Sequence, residues 1–119
     1  MSSIGQLPPN VQERIQRLQQ LQNTMQQLLT QKQRIEMELS ESSKALETLE
    51  ETDQESKVCK SVGAVLVERP KDVIVKELEE RKEFLEMRMK VIQKQEDKTK
   101  ERLSEIQANL QKDLGIQQN

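Results

Sequence analysis

The 119-residue sequence contains no histidine, tryptophan or tyrosine, one phenylalanine (Phe84), one cysteine (Cys59), three glycines and three prolines. Each shortage removes a class of structure or chemistry. With almost no rings and an apolar fraction of 33%, the chain cannot fill the centre of a conventional globule of this length. A lone thiol and no histidine leave no internal disulfide and no ordinary zinc site. There is no Gly-rich phosphate loop, and the acidic side chains lie on solvated faces without a pocket to shift them. These features argue against an enzyme and call for no cofactor. Met1 to Gly5 lack the basic flank and apolar core of a signal peptide, and no run could span a bilayer. The expected setting is soluble and cytoplasmic, with no membrane partner.

Charge of one sign is also missing. Nineteen Lys and Arg against 21 Asp and Glu leave a formal −2, so no overall field draws the chain onto nucleic acid. Arg81, Lys82, Arg88, Lys90, Lys94, Lys98 and Lys100 are basic, but acidic neighbours interrupt them. A nucleic-acid-binding arm is therefore disfavoured.

What is present is charge, at 34%, abundant glutamine, and a heptad pattern. From Val11, alternating steps of three and four reach Arg14, Leu18, Leu21, Met25, Leu28, Lys32, Ile35, Leu39, Ser42, Leu46 and Leu49, and nine of these twelve are apolar. A second run covers Val75, Leu78, Lys82, Leu85, Met89, Ile92, Glu96, Thr99, Leu103, Ile106, Leu110 and Asp113, with eight of twelve apolar. Between them lie Gly63, Pro70 and a valine-rich stretch, so the chain turns back and sets the two helices antiparallel. Pairing Leu49 with Val75, Leu39 with Leu85, Ile35 with Met89 and Leu18 with Ile106 then places each a position opposite a d position. In that register Lys32 faces Ile92, Glu96 faces Leu28 and Thr99 faces Met25, and these polar side chains are expected to reach outward along their apolar partners. Ser42 with Lys82 is a wholly polar layer. Glu38 is expected near Arg88, and Glu36 near Glu86.

The expected elements are helix 1 over about 8–52, a β-hairpin over 57–69 and helix 2 over 72–114, in one domain spanning 1–119. Helices of some forty residues would extend roughly 60 Å at about 1.5 Å per residue. Asn10 with Glu13 resembles a capping box behind Pro8-Pro9, Asp72 is a candidate N-cap after Pro70, and Gly115 closes the second helix. Lys57 to Arg69 is rich in β-branched residues around Gly63, the pattern of a short hairpin. A two-stranded hairpin is marginal alone and has two unpaired edges, so Val58, Val62, Gly63, Val65, Leu66 and Val67 are candidate oligomerisation residues. Phe84, Met87 and Val91 form an i, i+3, i+7 stripe off the seam near the hairpin and join that set. Cys59 is expected to fill a small packing site as a buried thiol.

The order long helix, Val-Cys-Lys-Ser-Val-Gly-Ala-Val-Leu-Val hairpin, then Lys76-Glu77-Leu78-Glu79-Glu80-Arg81-Lys82-Glu83 opening a second helix resembles beta-type prefoldin, archaeal members most closely. The likeness runs from about Leu7 to Leu114. Lys60, Val62 and Gly63 in a lone hairpin carry it, since an alpha-type subunit has two hairpins. Cys59 departs from the aromatic common at that position. The fold implied is mainly α: a long antiparallel coiled-coil hairpin whose short β-hairpin, at the closed end, joins an intersubunit β-barrel. The resemblance implies a hetero-hexamer of two alpha-type and four beta-type subunits. It also implies an ATP-independent holdase that captures unfolded polypeptides and delivers them to a group II chaperonin.

The residues offer their own support for capture at the open end. Ile4, Leu7, Ile15, Leu114 and Ile116 lie off the seam or past its last strong layer. Val11 faces only Asp113, and Leu110 only Arg14. With Leu18, these eight are the candidate substrate-binding tips, since frayed helix ends expose adaptable apolar side chains. The competing reading is a structural coiled-coil adaptor that binds one folded partner through its β-hairpin.

Overall fold

The computed structural model describes residues 7–115. Helix α1 runs Pro9–Glu50. Its start is set by Pro9, which lacks an amide donor that a first turn could not use anyway. The Pro8 carbonyl accepts the amides of Val11 and Gln12, each at 3.0 Å. The expected capping box does not form. Asn10 already lies inside the helix, too late to cap it, and Glu13 pairs instead with Arg17 one turn on, at 3.3 Å. Gln12 Nε2 donates to the Leu7 carbonyl at 2.6 Å and ties that residue to the first turn.

The last turn of α1 has no basic residue of its own. Lys71 supplies the charge from beyond the hairpin, donating from Nζ to the Thr52 carbonyl at 2.6 Å, where the helix dipole favours a cation. Strands β1 (Val58–Val62) and β2 (Val65–Arg69) pair antiparallel, from Val58 opposite Arg69 to Val62 opposite Val65. Their two-residue turn is Gly63-Ala64. Gly63 has φ +58° and Ala64 does not share the positive sign, the pattern of a type II′ turn whose twist matches the strands. A Cβ at Gly63 would meet nothing within 4 Å, so the backbone, not space, asks for glycine.

Helix α2 runs Lys71–Asp113. The Pro70 carbonyl accepts the Ile74 amide at 3.2 Å. Asp72 sits within the first turn, not at the expected N-cap, and there its charge complements the amino end of the helix. At the other terminus the Leu114 amide reaches the Leu110 carbonyl at 2.9 Å, and Gly115 at φ +70° ends the helix as expected. Neither helix is long and apolar enough to cross a membrane.

The elements divide between two compact units: α1 up to residue 31 with α2 from residue 92, and residues 32–91 with the hairpin. In the first, the buried apolar side chains are Val11, Leu28, Ile92 and Leu110; in the second, Ile35, Leu49, Ile74 and Leu85. All but Ile74 are seam positions. The three-four spacing puts them on one stripe per helix, and burying each such side chain contributes about 1.5–3 kcal/mol.

Two polar seam residues depart from expectation: Glu96 and Thr99 are buried and do not reach outward, and Ser42, from the layer expected to be wholly polar, is buried as well. Partners about one turn away hold Glu96 and Thr99 in the seam. Thr99 Oγ1 donates to the Gln95 carbonyl at 2.7 Å, and Lys100 Nζ reaches Glu96 at 3.0 Å. The hydrogen bond that Lys100 donates to Glu96, then the charge of that carboxylate, raises the Lys100 pKa. A raised lysine contributes its stabilisation fully below the ordinary lysine pKa and loses it as pH climbs through the raised value, so the pair holds at neutral pH. No buried side-chain polar atom among the described residues lacks a partner.

Glu38 pairs with Arg81 at 3.3 Å, two turns from the Arg88 expected. Exposed ion pairs are worth about 0–1 kcal/mol, too little to choose the register, and the long arginine takes whichever carboxylate lies within reach.

Leu85 is 0% exposed. Leu85→Ala is expected to cost about 2–5 kcal/mol of unfolding free energy in urea denaturation. A loss under half of the lower value would mean that the seam is not close-packed there.

Candidate functional site

Side chains alternate across a strand, so Val58, Lys60 and Val62 share one face of the hairpin with Val65, Val67 and Arg69, while Cys59 and Ser61 share the other with Leu66 and Glu68. The first face leans toward α2. Val58 and Val67 are half-buried, and Lys60 Nζ bonds Glu77 at 2.9 Å. Val62, Val65 and Leu66 stand exposed near the turn, Leu66 at 73%. With only two strands in the sheet, each has an outer edge of unpaired backbone groups.

Below β1 opens a groove of about 770 Å³ lined mainly by Ala45, Leu49, Val58, Cys59, Ile74 and Leu78. Ile74 is the residue that heptad counting misses, because the second seam starts at Val75. The signal is the β-branched run Val73-Ile74-Val75 after Pro70, which offers one side chain more than a two-helix seam uses. Cys59 corrects another expectation: it is exposed, since nothing covers a two-stranded sheet at that position. Phe84, Met87 and Val91 lie exposed along α2, as their off-seam spacing requires. Met37 on α1 is a further exposed apolar residue that no expectation covered.

The end of the first unit, near residues 11 and 113, differs from the reading of loose apolar tips. Leu7, Ile15 and Leu18 are half-buried, and Leu114 is exposed. Val11 and Leu110, expected to be left open by their charged neighbours, are only 1% and 7% exposed. The reason is an ion pair between Arg14 and Asp113, which joins the two helices at this level. Ile4 and Ile116 lie outside the described residues.

Comparison with known proteins places this geometry in context. A family model described as "Prefoldin subunit" matches residues 12–117. The prefoldin subunit beta of Archaeoglobus fulgidus is 44% identical over 114 residues, covering 96% of this chain and 98% of its own. That of Thermococcus kodakarensis is 38% identical over 108 residues, covering 91% and 92%. The crystal structure of the prefoldin beta subunit from Thermococcus strain KS-1 superposes with a TM-score of 0.81 at 38% identity, covering 94% of this chain and 96% of that one. Two long helices with a short antiparallel β-hairpin between them are common to both folds.

The hairpin end separates packing from surface. Ile74→Ala is expected to cost about 2–5 kcal/mol by opening the floor of the groove, whereas Leu66→Ser should stay within about 0.5 kcal/mol. Thermal unfolding of both variants followed by circular dichroism checks the contrast. Equal losses would show that the tip of the hairpin is packed within its own chain.

Proposed function

Because this chain belongs to the prefoldin subunit family, whose members are chaperones, we propose that it acts as the beta-type subunit of an ATP-independent holdase. In this reading the whole chain serves as one domain and not as an enzyme, working in the cytoplasm. It assembles with alpha-type and further beta-type subunits into a hetero-hexamer, holds unfolded polypeptides and passes them to a group II chaperonin. The observation that carries the reading is the single hairpin that bares Val62, Val65 and Leu66 beside unpaired strand edges. An isolated hairpin of this kind gains most by completing its sheet with other chains, here as a strand pair of an intersubunit β-barrel. Gly63 keeps the turn tight, Val58 and Val67 pack the inner face, and Phe84, Met87 and Val91 extend the apolar surface along α2.

Client capture falls to the other end of the helices, at Ile4, Leu7, Val11, Ile15, Leu18, Leu110, Leu114 and Ile116. Apolar side chains near helix termini, where local opening costs least, adapt to unrelated partners. Each contact is weak, and several subunits closing on one client raise retention through effective concentration. No nucleotide is needed for such a grip.

The test is suppression of light scattering by chemically denatured clients, with an alpha-type partner present. The full chain is expected to protect unrelated clients, and removal of Met1 to Leu7 with Leu114 to Asn119 should weaken protection while leaving assembly intact. A stable 1:1 complex with one folded protein and no protection of denatured clients would instead mark a structural adaptor.

A further inference from the structure

We propose that the Arg14–Asp113 ion pair is a latch, holding the Val11–Leu110 layer shut at the end of the helices and baring it as apolar surface when released. The latch stands on geometry alone; the use of the bared layer for clients rests on the reading above.

Val11 and Leu110 have no apolar residue directly opposite in the register, since Val11 meets Asp113 and Leu110 meets Arg14. Two successive layers of this mixed kind should splay a helix pair at its terminus. They do not, because the two charges come from different helices and bond each other, and both apolar side chains at this level are buried. Closure is local. Further along the same unit Leu18, Leu21, Leu103 and Ile106 are only half-buried. Beyond them come Thr99 and Glu96, buried polar residues that bond within their own helix to Gln95 and Lys100. Between the latch and those polar positions no described apolar side chain is fully buried. Release of the end therefore has a weakly held stretch to spread into, and a reason to stop.

The strength of the latch suits a reversible device. Its side chains are 35% and 24% exposed, so salt reaches the pair and screens it. An ion pair this accessible shifts an opening equilibrium by about five-fold at most.

Hydrogen exchange of the full chain tests this with Arg14→Gln, Asp113→Asn and the reversed pair Arg14→Asp with Asp113→Arg. Each single variant is expected to speed exchange about two- to five-fold over residues 14–25 and 99–113, with 71–91 unchanged. The reversed pair should restore protection, and high salt should speed the same segments in the wild type but not in the single variants. Unchanged exchange in both single variants, or an increase spread evenly over residues 32–91, overturns the latch. Client scattering measured in parallel keeps the two readings apart. Faster exchange with stronger suppression supports both, whereas faster exchange with unchanged suppression supports the latch and removes clients from this surface.

Discussion

Burial of one apolar stripe against another is the constraint from which everything else in the chain follows. With 33% apolar residues and one ring, there is no second core to fall back on. A two-helix seam concentrates the scarce apolar side chains into single file, where each is covered by the partner helix, and leaves the charged majority in water. Ile35, Leu85 and Val11 are the largest fully enclosed side chains, and all three are seam positions. Surface ion pairs cannot perform this task, as the unexpected choice of Arg81 by Glu38 illustrates.

Once the stripe is committed to the seam, whatever apolar surface remains is surplus to the single chain. It concentrates at the turn of the hairpin and along Phe84, Met87 and Val91. Helix termini produce a different situation. There the seam runs out of apolar partners before the helices end, and the chain closes the last layers with opposite charges instead of with more leucine. Residues 11 and 110 are thus buried by an electrostatic contact that water and salt can loosen, unlike residues 35 and 85. The apolar surface of the hairpin end and that of the helix termini differ in this physical sense: one is bare, and the other is covered by a weak bond.

Much of the architecture was legible because it obeys a period. The three-four spacing placed both helices, and Gly63 with its β-branched flanks placed the hairpin and its turn. Details that depend on one side chain meeting another were not legible. Heptad arithmetic treats Ile74 as off the seam, because it cannot see that a strand lies beside the helix start. It leaves Glu96 and Thr99 reaching outward, because it cannot weigh the length of a side chain against bonds available one turn away. It leaves Val11 and Leu110 exposed, because it compares directly opposed residues and misses the diagonal Arg14–Asp113 contact. The caps fall elsewhere at both helix starts, where the prolines let the helix begin ahead of Asn10 and Asp72 and so draw both residues into the first turn.

Antiparallel pairing of the two stripes is most directly tested by a distance measurement within one chain. Gln20 and Glu105 line the same shallow groove between α1 and α2, so spin labels on cysteines at those positions, in a Cys59→Ser background diluted with unlabelled protein, report on the pair. The account predicts one narrow short distance, set by an interaxial spacing of about 8–10 Å plus the label arms. A broad distribution, or a separation several times that spacing, would contradict it.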